Sequence, residues 1–284
     1  MNEIPGVIKT LERKAKNLLN LDRALTNNEA GKLETIYRAL PLLQQANDLF
    51  EIRPHQSNTL ITYKIISDLD GKLKASARTA CNFWNRFVAP SSPIVIRLGL
   101  FTSEDEIIAW AFEPYEENGI VYGVVEFNTR FLDYYSSLEV AGTIVHEIGH
   151  TLGMGWDDWM PLFKRRTGQF KHAAIEQLPS LAEMSVETDG DDGTRYAHWD
   201  EEEFGAELMT GYKDRIGEFV LPVTIDVMAL LGHRISQRLT RQTSLDQLLR
   251  EVEGMVFTRK EEAKALDLDY FRKTKKFEEI PFRR

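Results

Sequence analysis

Apolar positions fall into stretches of different period along the chain. Residues 1–50 read as helical: Leu11, Leu18, Leu19 and Leu21 alternate with Lys and Arg, and Leu33, Ile36, Tyr37, Leu40, Leu42 and Leu43 form a second run. Asn27 and Asn28 stand where caps of that run belong, and Pro41 where it should bend. From about residue 74 the pattern is mixed. Ala80, Phe83, Trp84 and Phe87 fall at helical spacing before Pro90 and Pro93 break the chain. Ile94–Phe101, Ile107–Phe112 and Ile120–Phe127 read as strands, the third bracketed by Gly119 and Asn128 and taken as an edge strand. A helix is expected from Ser137 to Leu152, with Leu138, Ala141, Ile144, Val145, Ile148 and Leu152 on its buried side, Ser136 or Ser137 as its cap and Gly153 as its end. Beyond Trp156 the periodicity weakens. Helices are expected over Lys164–Leu178, Leu221–Ile235 and Thr243–Val256, and a charged tail on the surface beyond them. No internal repeat interrupts this order. It divides the chain into a helical N-terminal extension (1–55), a mixed α and β domain (56–238) and a helical, charged C-terminal extension (239–284).

Composition narrows the functional classes. The chain has 284 residues, 43% apolar and 28% charged, ordinary for a globular protein. Its net charge of -9 argues against nucleic acid as a partner, because phosphate recognition needs a basic face. No apolar run approaches the roughly 18 residues of a membrane span, and residues 1–20 carry no Sec-type signal pattern. The expectation is a cytoplasmic protein or a leaderless secreted effector. The single cysteine, Cys81, excludes an intrachain disulfide and fits a small buried hydrophobe better than a latency switch.

The chemistry concentrates in His146-Glu147-Ile148-Gly149-His150. Residues four apart share one helix face, so two imidazoles can grip one metal ion from the same side. Glu147 between them is placed to reach a water on the metal. Zinc is the natural ion for a nitrogen-rich catalytic site with three protein ligands and an open position, and it makes a water acidic near neutrality. Glu147 would be the general base. Gly153, three positions after His150, lets the chain leave the helix and double back.

That pattern resembles the metzincin zinc peptidases, whose common form places a third histidine where this chain has Trp156. A second stretch, His198-Trp199 followed by Glu207-Leu208-Met209-Thr210, resembles the leishmanolysin branch, in which an insertion precedes the third histidine. The resemblance covers roughly residues 75–235. It implies an α+β fold with a mixed twisted sheet, a catalytic helix, a methionine turn and a closing helix near Pro222–Gly232. It further implies metal ligands His146, His150 and His198, Zn2+ as cofactor, and Met209 packed beneath the ion. The function implied is endopeptidase hydrolysis of a protein or peptide. An extended substrate would pair with the strand Ile120–Phe127, and Lys213–Val223 would shape the specificity pocket. Tyr212 is read as packing rather than as an oxyanion donor. The cluster Trp156-Asp157-Asp158-Trp159 reads equally as a cleft wall and as a partly exposed structural corner, and the acidic stretch Glu187–Gly193 as a solvated loop rather than a calcium site. Asp157 and His172 are the rival ligands. Two alternatives stand beside this reading: a peptidase whose third ligand is a glutamate from 187–203, and a zinc-binding protein without turnover.

Overall fold

The computed structural model describes residues 4–19, 26, 28–36, 39, 60–190, 193–213, 217–253, 255 and 277–281. The chain divides into two units, Met1–Gln56 and Ser57–Arg284. In the first, α1 (Ile4–Leu19) and α2 (28–36) are helical. The cap of α2 is Thr26 rather than Asn28: the Glu29 N–H donates to the Thr26 hydroxyl, and the Thr26 N–H donates to the Glu29 carboxylate at 2.8 Å. Pro41, Asn27 and the apolar run beyond residue 40 lie outside the described residues.

The second unit is built on a mixed sheet. Its strands are β1 (Ile61–Ile65), β3 (Ile94–Phe101), β4 (Ile107–Glu117), β5 (Ile120–Asn128) and β9 (Phe277–Pro281), in the order β1-β3-β5-β4-β9, while β2 (Val88–Ala89) pairs with β7 (Arg234–Ile235) and β6 (Phe219–Val220) with β8 (Thr243–Ser244). β1, β3 and β5 run parallel, and β4 is antiparallel to β5 across a two-residue hairpin. Asn118 and Gly119 both have positive φ there, 53° and 74°, which gives the turn the twist its strands need. Alternate residues face the helices: Ile94, Ile96 and Leu98 of β3 and Val125 and Phe127 of β5 enter the main core with α3 (Lys72–Phe87). Phe112 and Val124 form a smaller cluster with Trp110 and Tyr115.

Two long helices, α3 and α5 (Ser137–Thr151), pack into that core, and the segments from Met154 to Leu231 add the buried Trp159, Phe163, Trp199 and Met209. The cap of α5 is Ser136 rather than Ser137. The Ser136 hydroxyl accepts from the Glu139 N–H, and the Glu139 side chain returns the bond. The Trp84 indole donates to the Val145 carbonyl at 2.8 Å and locks α3 to α5. α9 (Leu245–Glu253) packs on α3, where Asn82 donates to the carbonyls of Val252 and Met255. Cys81 is buried in α3. Among the described residues no helix is long and apolar enough to cross a membrane.

The sequence expectations fail at five places in this unit. Ile120–Phe127 is no edge strand, since β5 lies between β3 and β4 and both its ladders are filled, so a substrate cannot pair with it. On that side β4 follows β5, and β9 pairs with β4 over Ile107–Phe112 as the outer strand. The charged tail therefore enters the sheet in part. The free N–H and C=O row of an open edge can take up a strand from a charged segment, which composition does not convey. Lys164–Leu178 is helical only at α6 (His172–Gln177), because residues 164–169 close a turn through the Lys164 N–H and the Gln169 carbonyl at 2.9 Å. The segment Leu221–Ile235 is α8 (Pro222–Asp226), then a 3-10 turn Val227–Ala229, then a short strand Arg234–Ile235 that pairs with Val88–Ala89. The fifth departure is at Thr243–Val256, whose first two residues pair as a strand with Phe219–Val220 before α9 begins.

Candidate metal centre

His146 and His150 leave one face of α5, and His198 arrives from a loop 48 residues beyond His150. All three rings are buried, with 2%, 0% and 0% of their surface exposed. The Nε2 atom of His146 lies 3.1 Å from that of His150 and 3.2 Å from that of His198. Each Nδ1 faces a backbone carbonyl: His146 that of Leu208 at 2.8 Å, His150 that of Met154 at 3.1 Å, His198 that of Thr194 at 2.8 Å. A carbonyl can only accept, so each Nδ1 carries the ring proton and each Nε2 presents a lone pair. Three lone pairs converging without a proton between them repel one another and fit a cation. A tetrahedral zinc ion with bonds of about 2.0–2.1 Å sets its nitrogen ligands roughly 3.3 Å apart, close to the spacing seen. Among the described residues this is the group that could hold a metal ion, and it contains three histidines and no carboxylate.

Local structure explains the placement. Gly153, with φ 115°, turns the chain out of α5 so that the Met154 carbonyl comes back onto His150. Trp156 is no ligand: its indole N–H donates to the His150 carbonyl at 2.8 Å, and so satisfies a terminal acceptor of α5. His198 is held by a buried aromatic cluster. Trp159 meets Trp199 with ring centroids 5.4 Å apart in an edge-on arrangement, and the Trp159 indole donates to the Tyr196 carbonyl at 2.7 Å. Met209 packs against Gly149, between the two helix histidines. A Cβ at Gly149 would lie 2.6 Å from the Met209 sulfur, so no larger residue fits there without displacing the methionine.

Glu147 is buried at 1% exposure beside His146 on α5. The other candidates stand apart. Asp157 is exposed and lines a cavity of about 250 Å³ with Trp156, Asp158, Thr151 and His233. His172 is exposed and lies 3.2 Å from Glu176 of its own helix. His233 donates to the Leu152 carbonyl. His55 is outside the described residues. Tyr212 is 37% exposed and lines a cavity of about 210 Å³ with Glu187, Asp189, Asp200 and Glu202, so it does not pack in the core as expected. Within the acidic stretch, Glu187 accepts the N–H groups of Asp189 and Glu201, which gives that carboxylate a backbone-ordering role. Lys213 is buried and pairs with both Glu218 oxygens at 2.8 Å.

Sequence reasoning missed the supporting shell: the Met154, Thr194 and Leu208 carbonyls and the buried Glu207. Backbone acceptors have no sequence signature. Glu207 had one, its place directly before Leu208-Met209, but nothing in the letters said that it is buried. Protein-family models, curated proteins and solved structures return no match to this chain, so the geometry carries the functional reading alone.

Electrostatics set a pH dependence. Burial, reinforced by the neighbouring rings, holds His146 and His150 well below the usual histidine range, and burial brings His198 down to about 4. Burial pushes Glu207 the other way, up to about 7, against three hydrogen bonds that favour its ionised form. A depressed histidine pKa means stability that is complete above 6.5 and is lost as pH falls toward the folded value. A raised carboxylate pKa means stability that is lost as pH rises from 4.5 to 7. Near pH 5.5 the unfolded chain holds roughly one extra proton on each of three imidazoles, and the folded chain roughly one on Glu207. The histidines win. Metal-free protein is expected to lose stability steadily between pH 6.5 and 4.5, read as a falling urea midpoint. A midpoint that rises on acidification would contradict the buried, neutral imidazoles.

Proposed function

We propose that this protein is a zinc-dependent endopeptidase of the leishmanolysin-like metzincin type. The observation that carries the reading is the convergence of the His146, His150 and His198 Nε2 atoms, each oriented by a backbone carbonyl on its Nδ1, with Glu147 one residue beyond His146 on the same buried helix. His146, His150 and His198 would hold the ion. Zinc in such a site supplies a Lewis acid for the scissile carbonyl and makes water a nucleophile near neutral pH. Glu147 accepts a proton from the attacking water at its carboxylate. As the carbon–nitrogen bond breaks, that proton passes to the departing amine, so the products are a carboxylate and a free amine. Met209, seated on Gly149, is the apolar floor that keeps the two helix imidazoles from shifting. A general base beside the ligands favours turnover over a purely structural ion, which is usually closed by four protein ligands.

The reading is tested by metal content and turnover together. The purified protein is expected to carry about one zinc per chain and to cleave an unfolded, internally quenched protein substrate. Dialysis against a chelator should remove both properties, and zinc should restore both. Zinc without cleavage of any unfolded protein would leave the silent zinc-binding alternative. Cleavage that survives complete metal removal would end the proposal.

A further inference from the structure

Glu207 is a buried carboxylate, 2% exposed, that the hydrolytic chemistry leaves unused. Its Oε2 accepts the Met209 N–H at 2.7 Å. Its Oε1 accepts the Leu221 N–H at 3.0 Å and the Thr224 hydroxyl at 2.6 Å. Three donors and no competing acceptor tie together the methionine turn, the entrance to α8 and α8 itself. One bond further out, two of the three imidazoles depend on the same clasp. The Leu208 carbonyl, between Glu207 and Met209, accepts the His146 Nδ1–H. The Thr224 hydroxyl that donates to Glu207 accepts the indole N–H of Trp199, the neighbour of His198, at 3.0 Å. The Trp199 N–H in turn donates to the Met209 carbonyl at 2.9 Å, which closes the circuit.

We propose that Glu207 is the positioning residue of this metal centre, aligning the Leu208 carbonyl on His146 and, through Thr224, the indole of Trp199, the residue next to His198. The role rests on the metal reading above and deepens it. Glu207 touches neither imidazole. It acts on where their nitrogens point, because a ring held by one hydrogen bond follows the carbonyl that holds it. The carboxylate form is specific to the task. Both of its oxygens accept, whereas an amide of the same shape presents one NH2 that must face one of the three donors.

Glu207→Gln is the direct test. It is expected to weaken zinc binding about 10- to 100-fold, the range for partners one bond removed from a ligand. Zinc affinity is measured by competition with a chelating dye. The visible absorption of the cobalt-substituted protein reports the ligand geometry and should change with it, a readout that mere loss of stability does not move. Thr224 gives a second, gentler pair. Thr224→Ser keeps the hydroxyl and should match the parent in affinity and cobalt spectrum. Thr224→Val removes it and should shift both in the direction of Glu207→Gln. If Glu207→Gln does not fold cooperatively, the Thr224 pair decides. Parent-like zinc affinity and an unchanged cobalt spectrum in Glu207→Gln, or in Thr224→Val where Glu207→Gln fails to fold, would overturn the role of Glu207 and leave the peptidase reading standing. A parent protein that binds neither ion overturns the metal reading and this inference with it.

Discussion

Glu147→Gln is expected to retain its zinc and to lose at least about a hundredfold in peptide hydrolysis, the scale on which general-base catalysis contributes. The substitution keeps the shape of a side chain that is 1% exposed, so packing on α5 is preserved. It does not touch His146, His150 or His198, whose Nε2 atoms form the ligand set. What it removes is a group able to take a proton from water and release it to an amine. Zinc content is read by elemental analysis and hydrolysis on a quenched peptide under saturating zinc. A variant with full zinc and undiminished hydrolysis would show that Glu147 is not the base, whatever holds the metal. A variant that loses zinc as well would mean that Glu147 supports the ion rather than the chemistry.

The second large effect concerns the ligand that sequence order leaves most open. His198→Ala is expected to fold and to bind zinc far more weakly than the parent, by more than the roughly 10- to 100-fold that follows loss of a partner behind a ligand. Two imidazoles on one helix remain, but the geometry that acidifies a water is gone, so hydrolysis should recover little at saturating zinc. Asp157→Ala and His172→Ala are the matched controls. Both side chains are exposed and stand outside the three-histidine group, so both variants should bind zinc as the parent does. The three are compared in one dye-competition series. Sensitivity at Asp157 or His172 with indifference at His198 would refute the leishmanolysin-like ligand set while leaving the helix histidines available to another class of zinc peptidase.

Both experiments probe a site whose parts differ in how far the letters reveal them. The helix from Ser137 onward was legible because an amphipathic period, a capping serine and a closing glycine all agree over fifteen residues. The same period puts His146 and His150 on one face, since i and i+4 adjacency is a property of the helix alone. The three strands of the sequence reading were legible as runs of apolar residues between turn signals, and the α and β class follows from them. The pairing of His198 with Trp199 and of Glu207 with Leu208-Met209 could be matched to a pattern, but not placed in space.

Tertiary structure decided the rest. Strand order depends on which ladders form between distant segments, and a run such as Ile120–Phe127 reads the same at an edge as in the interior. The tail strand Phe277–Pro281 joins through main-chain bonds that no side chain announces. The region after Trp156 is short helices and turns around buried tryptophans, where cross-chain packing overrides weak local preference. Whether His198 meets His146 is a matter of a loop 52 residues away in sequence, held by the Thr194 carbonyl and the edge-on contact of Trp159 with Trp199. Local sequence determined which side chains could serve a metal. The fold alone decided that three imidazoles face one point, because convergence of distant segments is set by long-range packing, to which no short window of residues has access.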